Sequence, residues 1–214
     1  MKSGEKFFVI SDIHGCFDKL VNLVKIIEPE LCNGTLVFLG DYIDRGLDSC
    51  EVVDYVLQLK KEYNAVFLKG NHEKMLLDFL VGINQFLYLE NGGELTLASY
   101  YNKYRAREGE IIIPQVHLDF YQNLKLYHET EDYLFVHAGV RNGISIEEQS
   151  EEDLLWIREE FIYSSYDFGK TVVFGHTPFL YPFIGFKKIG IDTGAVYGNT
   201  LTMLILPDME FISV

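Results

Sequence analysis

The sequence predicts an α/β protein built on a parallel sheet, because buried-strand patterns recur at a regular spacing and each ends in polar side chains. The polar residues Asp12, Asp41 and Asn71 stand 29 and 30 residues apart. This spacing fits one strand–helix–strand unit each, for which parallel pairing is expected. The carboxyl edge of such a sheet is where ligands bind. Three apolar runs of strand length, each followed by turn residues, carry this pattern: 7–10, 36–39 and 65–68.

Amphipathic patterns between and after these runs predict helices. Residues 18–28 place apolar side chains on one helical face, and Asp18 can cap the start of that helix. Residues 48–51 resemble a capping box that opens a second helix. Residues 75–86 predict a third helix, broken or bent near Gly82. The first half therefore alternates strand and helix.

The middle of the chain, about residues 87–130, is rich in Tyr, Asn and charge and predicts a small helical cap beside the site. A helical pattern runs over 115–126. His117 and His128 lie in this segment without a neighbouring glycine or carboxylate motif. We therefore expect packing or surface roles for both histidines.

The second half is predicted to be richer in strands. Two further apolar runs end in His137 and His176, each beside a glycine. Ser150 predicts the capped start of a helix that carries Trp156 and Arg158 near its middle. The remaining predicted elements are a short apolar segment over 189–194 and a final strand over 200–206.

Composition predicts one catalytic domain over residues 1–214. Hydrophobic residues make up 48% of the chain, which argues against disorder, and the longest apolar runs are too short to span a membrane. No secretory apolar segment is recognisable at the start, and three cysteines without a Cys-x-x-Cys pair suit a reducing cytoplasm. The net charge of −14 argues against general nucleic-acid binding. It leaves a phosphorylated substrate possible, because bound cations reverse the local charge.

The polar residues at the strand ends form a ligand set of oxygens and imidazole nitrogens without sulfur. One metal ion cannot use all six residues and leave room for a substrate, whereas two ions can if a carboxylate bridges them, and Asp41 is the natural bridge. Such ligands suit Mn, Fe or Zn better than Ca, and two such cations can share a hydroxide and clamp the oxygens of an in-line displacement. The six residues are Asp12, His14, Asp41, Asn71, His137 and His176.

Two further residues of these motifs, Asp44 and His72, are left over as non-ligands. A histidine oriented by a carboxylate makes a good general acid for a leaving alkoxide. Arg45 and Arg158 supply cations for phosphate oxygens, although Arg158 has the alternative of pairing with acidic residues on its own predicted helix. Asp192 either faces the site or forms an ordinary turn. Arg141 is expected to be a surface arginine.

Five motifs resemble the phosphoprotein phosphatase branch of the calcineurin-like metallophosphoesterases. They are Ser-Asp-Ile-His-Gly, Gly-Asp-Tyr-Ile-Asp-Arg-Gly, Gly-Asn-His-Glu, Val-His-Ala-Gly and Phe-Gly-His-Thr, in family order over residues 11–177. Ser11 replaces a glycine of the eukaryotic pattern, and the eukaryotic Leu-Arg-Gly segment is absent, so its arginine role is assigned to Arg158. The resemblance implies two packed mixed β-sheets flanked by helices, with a small helical cap.

The resemblance also implies two divalent metal ions, with Mn favoured over Fe or Zn, and a role for each motif residue. His72 is the general acid paired with Asp44. Phosphate contacts come from Arg45, Arg158 and Asn71. The first metal takes Asp12, His14 and Asp41, and the second takes Asp41, Asn71, His137 and His176.

Three functions are compatible with these motifs. The favoured one is a metal-dependent serine/threonine protein phosphatase acting on a phosphorylated protein or peptide, because the Asn-Gly-Gly segment of the cap resembles small bacterial phosphatases. The alternative is a dinucleoside polyphosphate hydrolase, for which residues 100–107 are either an adenosine-binding wall or an amphipathic cap helix. The third is an inactive scaffold for a phosphorylated partner, which predicts a lost ligand, and none is lost. The sequence does not indicate an oligomeric state.

Overall fold

The computed structural model describes residues 5–105, 110 and 112–214 and shows strands and helices alternating along the chain. The strands are β1 (Lys6–Ile10), β2 (Gly34–Phe38), β3 (Ala65–Phe67), β4 (Tyr127–Glu129), β5 (Tyr133–Val136), β6 (Thr171–Phe174), β7 (Phe183–Gly185), β8 (Lys188–Gly190), β9 (Thr202–Leu206) and β10 (Glu210–Ser213). The helices are α1 (Phe17–Ile27), α2 (Ser49–Glu62), α3 (Asn71–Leu80), α4 (Gln85–Tyr88), α5 (Glu94–Tyr104), α6 (Gln115–Gln122), α7 (Glu151–Trp156) and α8 (Glu159–Ile162).

These strands form two mixed, five-stranded sheets. The first has the order β10-β9-β1-β2-β3, and its β1, β2 and β3 are parallel as predicted. The second has the order β4-β5-β6-β8-β7, with parallel β5, β6 and β8 between antiparallel edge strands. The expected fold, two mixed sheets flanked by helices, is confirmed.

The alternation of side chains along β1 explains how the two sheets pack. Phe7 and Val9 point into an apolar layer that also contains Phe135 and Val173 of the second sheet. Phe8 and the other alternate residues point the opposite way, into a core covered by α1, α2 and α3. A strand with a period of two can be apolar throughout only when both of its faces are buried. The apolar runs of the sequence therefore correspond to strands inside a layered structure.

Several helix boundaries differ from the predicted ones. Helix α1 begins after Cys16, so Asp18 lies inside its first turn and is not the cap. Asp48 precedes α2 but its side chain makes no capping hydrogen bond. Helix α3 starts at Asn71, four residues before the predicted start, because a site motif forms its first turn. Ser150 does cap α7, since its hydroxyl accepts a hydrogen bond from the Asp153 amide at 3.0 Å.

The region around Arg158 is a correction to the predicted helix. Helix α7 ends at Trp156, and Arg158 precedes α8 with the non-helical angles φ −129° and ψ −102°. An apolar pattern cannot reveal such a break, because side chains on both short helices pack into one core. The helical part of the predicted cap ends at Gln122, and His128 lies on strand β4, where its ring stacks on Phe135.

The parallel strands bring the motif residues to one edge of the molecule. Strands β1, β2 and β3 run in the same direction, as do β5 and β6, so the segments after their carboxyl ends converge. No helix among the described residues has the length and apolar character needed to cross a lipid bilayer. The converging segments form the site described next.

Candidate metal centre and active site

Two groups of potential metal ligands meet at this edge and share Asp41. In the first group, ligand atoms of His14, Asp41 and His72 lie within 4.8 Å of one another. In the second, the same criterion is met by Asp41, His137 and His176. All five side chains are buried. Asp41, the residue predicted as the bridging ligand, is thus the carboxylate common to both groups.

Backbone carbonyls orient two of the histidines. Nδ1 of His14 donates to the carbonyl of Ile43 at 2.8 Å, and Nδ1 of His137 donates to the carbonyl of Leu39 at 2.9 Å. Each bond leaves the lone pair of Nε2 directed into the site. Outer hydrogen bonds of this kind fix the tautomer and ring orientation of metal-binding histidines.

Acceptor atoms converge around Asn71. Its Oδ1 lies 2.9 Å from Nε2 of His137 and 2.9 Å from Nδ1 of His176. Because Nδ1 of His137 is already a donor to Leu39, the Nε2 lone pair faces another acceptor oxygen. Lone pairs that point at one another are typical of ligands around a cation. The residues at this position therefore fit a divalent metal ion.

Asp12 borders the first group. Its carboxylate accepts the backbone N–H of His176 at 3.0 Å and 3.1 Å and the hydroxyl of Ser11. The neighbouring Gly175 permits this approach, since a Cβ there would lie 2.2 Å from Oδ2 of Asp12. A Cβ on Gly70 would similarly lie 2.0 Å from Oδ1 of Asp41. The glycines beside the ligands are thus required for close packing against the carboxylates.

The electrostatics of the site also favour bound cations. Burial and the Asp12 charge raise the pKa of Asp41 well above its usual value. Asp192 is also buried. Its burial, and to a smaller extent the charge of Asp12, raises its pKa well above the usual value. Burial lowers the pKa of His14 and of His137, which keeps the imidazoles neutral and able to bind metal. A cation among these carboxylates offsets the repulsion that otherwise opposes their ionisation.

His72, a member of the first candidate ligand group, also forms a buried pair with Asp44. Nδ1 of His72 donates to Oδ2 of Asp44 at 2.7 Å, and neither side chain is exposed. Within the described part of the chain, no hydrogen-bond partner is found for Nε2 of His72, whose ring packs edge-on against His14 with a centroid distance of 4.7 Å. Burial raises the pKa of Asp44 to about 7, although hydrogen bonds from Thr96 and Tyr88 act to lower it.

The two predicted phosphate-binding arginines differ in their surroundings. Nη1 of Arg45 donates to Nε2 of His14 at 2.9 Å, and its guanidinium lies 5.7 Å from the centroid of the Tyr197 ring. Arg158 is exposed. The pKa of His137 is lowered mainly by burial and also by the positive charge of Arg158. Arg45 therefore lies at the first ligand group, while Arg158 approaches the second from a loop.

Strained backbone marks the same residues. Left-handed φ angles occur at His14 (46°), Asp41 (53°), Asp44 (70°), Arg45 (66°) and His176 (64°). For residues other than glycine such angles cost on the order of 1–3 kcal/mol each, and they persist where the surrounding structure enforces them. The turns after the strands therefore hold these side chains in conformations that a relaxed loop would not adopt.

Sequence reasoning missed three residues that support the site. The buried carboxylate of Glu73 accepts the backbone N–H groups of Asp41 at 3.0 Å, Tyr42 at 2.9 Å and Gly70 at 2.9 Å. The sequence signal that could have identified Glu73 is its position as the last residue of the Gly-Asn-His-Glu motif. The hydroxyls of Thr96 and Tyr88 contact Asp44, and no sequence pattern indicates this.

Other residues singled out from the sequence have partners outside the candidate ligand groups. Arg141 is paired with Asp153 at 2.6 Å and with Glu160 at 2.9 Å. His117 is buried and interacts with the Tyr100 hydroxyl at 2.7 Å and with Asp54 at 2.9 Å. These contacts agree with the structural roles expected for Arg141 and His117.

Comparison with known proteins identifies the family. Residues 5–198 match the family model described as calcineurin-like phosphoesterase. The chain is 31% identical to the bis(5'-nucleosyl)-tetraphosphatase PrpE [asymmetrical] of Halalkalibacterium halodurans, covering 98% of this chain and 93% of that protein. It is 32% identical to the protein of the same name from Oceanobacillus iheyensis, covering 98% and 92%.

A solved structure shares the fold. The crystal structure of a protein provisionally described as a diadenosine tetraphosphatase has a TM-score of 0.75 at 23% identity and covers 100% of this chain and 94% of that one. Together with the two ligand groups around Asp41, these matches show that the chain belongs to the calcineurin-like phosphoesterase family and is a metal-dependent phosphoesterase.

Proposed function

We propose that this protein is an asymmetrically cleaving dinucleoside tetraphosphate hydrolase, which uses water to split its substrate into a nucleoside triphosphate and a nucleoside monophosphate. The observation that carries this proposal is the similarity along 98% of the chain to two proteins named as such enzymes. This similarity favours the dinucleoside polyphosphate hydrolase over the serine/threonine protein phosphatase that the sequence motifs alone favour.

A cavity next to the metal ligands supports a nucleoside substrate. The Trp156 ring on its wall lies 5.9 Å from the His176 ring. The cavity has a volume of about 290 Å³, close to the lower end of about 300–1,000 Å³ for small-molecule sites. Its walls combine apolar side chains with the carboxylates of Asp78, Glu151 and Glu152, which can accept hydrogen bonds from ribose hydroxyls. The full lining consists of Lys74, Met75, Asp78, Asn84, Leu87, Glu151, Glu152, Leu155 and Trp156.

The alternative nucleoside wall over residues 100–107 is less well supported. Tyr100 is buried and its hydroxyl contacts His117 and Tyr121, so its ring is not available to a base. Tyr101 and Tyr104 are exposed on α5, as expected for an amphipathic cap helix. Residues 106 and 107 lie outside the described part of the chain. We therefore assign the nucleoside to the Trp156 cavity.

The residues around the centre have distinct proposed tasks. Asp12, His14, Asp41, Asn71, His137 and His176 hold two divalent cations, which supply Lewis-acid stabilisation of phosphate oxygens and activation of water. The remaining residues act on the substrate directly or through a neighbour. Arg45 and Arg158 bind phosphate oxygens. In its imidazolium form, His72 donates the proton of Nε2 to the leaving oxygen and becomes neutral, while Asp44 accepts the Nδ1 proton in a hydrogen bond and holds the ring in the required orientation.

The test is a comparison of turnover on two substrates with Mn²⁺ present. We expect kcat/KM for diadenosine tetraphosphate to exceed that for a phosphothreonine peptide, with ATP and AMP as separated products. Faster cleavage of the peptide would return the assignment to a protein phosphatase, and ADP as the sole product would refute asymmetric cleavage. His72→Asn serves as the control for contaminating activity.

The nucleoside cavity is tested separately with Trp156→Leu. Base stacking on an aromatic ring is worth about 1–3 kcal/mol, so KM for diadenosine tetraphosphate is expected to rise about 5- to 150-fold. Hydrolysis of p-nitrophenyl phosphate, which lacks a nucleoside, is expected to change little. Tyr163→Leu removes an aromatic ring that is 79% exposed and is the matched control. An equal effect of Trp156→Leu on both substrates would contradict the stacking role.

A further inference from the structure

Two cap helices, α4 and α5, contact the active site because each donates a side-chain hydroxyl to the carboxylate of Asp44. The Tyr88 hydroxyl, at the end of α4, donates to Oδ1 of Asp44 at 2.9 Å. The Thr96 hydroxyl, in the first turn of α5, donates to the same oxygen at 2.6 Å. Tyr88 is 1% exposed and Thr96 is fully buried. Both hydroxyls therefore bind the Asp44 side chain away from water, where hydrogen bonds are strong.

These contacts divide the two oxygens of Asp44 between separate tasks. Oδ1 receives the two cap hydroxyls, and Oδ2 receives Nδ1 of His72 at 2.7 Å. Thr96 also accepts the backbone N–H of Asp44 at 2.8 Å, so it fixes the main chain and the carboxylate of one residue. Because Asp44 has a left-handed φ of 70°, its turn needs such external support.

We propose that Thr96 and Tyr88 are positioning residues for proton donation by His72, acting through Asp44. They hold the carboxylate so that Oδ2 faces the His72 ring, which in turn keeps Nε2 directed at the substrate. This inference rests on the acid role of His72 in the proposed function. It assigns the cap a part in the chemical step in addition to its packing role.

The same cap segment contacts the neighbouring arginine. The carbonyl of Gly92, between α4 and α5, accepts the backbone N–H of Arg45 at 3.3 Å. Gly92 has a φ of 96°, and a Cβ there would lie 2.8 Å from the Arg45 nitrogen. The cap thus fits closely over the turn that carries Asp44 and Arg45. A shift of the cap would disturb both residues, so the hydroxyl contacts must be tested without moving the helices.

The test uses variants that remove one hydroxyl and keep the shape of the side chain. Thr96→Val and Tyr88→Phe are compared on a phosphate ester with a poor alkyl leaving group and on p-nitrophenyl phosphate, whose leaving group needs little protonation. The free energy of a hydrogen bond to a charged group corresponds to a factor of about 10 to 100 in a rate constant. We therefore expect kcat on the alkyl ester to fall by that factor. The loss on p-nitrophenyl phosphate is expected to be much smaller, and Thr96→Ser is expected to restore the alkyl-ester rate.

A matched control separates positioning from general stability. Tyr100→Phe removes another buried hydroxyl of the cap, one that contacts His117 and Tyr121 instead of Asp44. We expect it to lower the melting temperature without changing the ratio of the two rates. Equal losses on both esters in Thr96→Val and Tyr88→Phe, or no loss on either, would overturn the inference. Should Thr96→Val fail to fold, Tyr88→Phe alone decides the outcome.

The design also separates this inference from the proposed function. Neither ester contains a nucleoside, so a preference for peptides over dinucleotides does not affect the result. His72→Asn is measured on the same two esters. If His72→Asn shows the selective loss on the alkyl ester and the cap variants do not, only the positioning role fails. If His72→Asn does not show it, the acid role fails, and the positioning role fails with it.

Discussion

Gly175→Ala tests whether close approach to Asp12 is needed for metal binding. The added Cβ would lie 2.1 Å from the Ser11 hydroxyl and 2.2 Å from Oδ2 of Asp12, whereas real Cβ contacts essentially never fall below 3.0 Å. The carboxylate must therefore retreat by about 0.8 Å. It cannot do so freely, because the backbone N–H of His176 binds both of its oxygens.

The size of the expected effect follows from this displacement. Metal–ligand distances tolerate deviations of about 0.2 Å, so a retreat four times larger removes Asp12 from effective coordination. We expect metal affinity to fall by about 10- to 100-fold or more, since this is the loss seen when only the hydrogen-bond partner of a metal ligand is disturbed. Turnover is expected to fall by about 100-fold, as it does when a reacting group is misplaced by about 1 Å. The backbone itself permits alanine, since φ at Gly175 is not in the left-handed region.

The assay measures bound Mn²⁺ by elemental analysis after dialysis, Mn²⁺ affinity by calorimetry, and kcat at saturating metal. Gly190→Ala is the matched control, because its Cβ would meet the Phe174 ring at 2.8 Å and so inserts a methyl group against apolar side chains of the same sheet. The control is expected to lower stability and leave metal affinity unchanged. Unchanged affinity and turnover in Gly175→Ala would refute the assignment of Asp12 as a ligand.

Four further predictions concern single features of the site. Asp41→Asn is expected to reduce bound metal, and a variant that still retains two ions on elemental analysis would refute the bridge. His72→Asn is expected to keep metal and lower turnover on a poor leaving group by about 10²- to 10⁴-fold, the contribution of a general acid; unchanged single-turnover rates would exclude that role. Arg158→Ala is expected to raise KM for phosphate esters. The control Arg141→Ala breaks surface ion pairs with Asp153 and Glu160 and is expected to leave KM unchanged. Equal changes in KM for the two variants would show that Arg158 does not bind substrate. Chelation is expected to lower thermal stability, because ligand at 100 times its Kd contributes about 2.7 kcal/mol; an unchanged melting temperature after metal removal would argue against cations between these carboxylates.

The sequence predicted the centre of this fold well because one physical pattern repeats there. The apolar runs of β1, β2, β5 and β6 are buried on both faces, and the polar residue that follows such a run must lie at the carboxyl edge of a parallel sheet. The sequence pattern alone therefore predicts that Asp41, Asn71 and His137 lie together. Of the edge strands, β4, β7 and β10 were not predicted, because they are short, only partly buried and not followed by one of the five motifs. Strand β3 is equally short, but it was predicted because the motif with Asn71 and His72 follows it.

The contacts between the cap and the site could not be predicted for a different reason. Thr96 is an ordinary polar residue in a helix, and its bond to Asp44 joins positions 52 residues apart. No periodicity or local motif encodes such a contact. Likewise, the break that leaves Arg158 in a loop depends on how α7 and α8 pack, since its apolar neighbours are compatible with one continuous helix.

The most direct test of the two-metal assignment is a crystal structure with Mn²⁺, measured at the metal's absorption edge. We expect two anomalous peaks on either side of Asp41, one beside Asp12 and His14 and the other beside Asn71, His137 and His176. A single peak would contradict a two-metal centre. A peak coordinated by His72, whose ring nitrogen lies within 4.8 Å of a ring nitrogen of His14 and a carboxylate oxygen of Asp41, would show that this histidine is a ligand and not the acid.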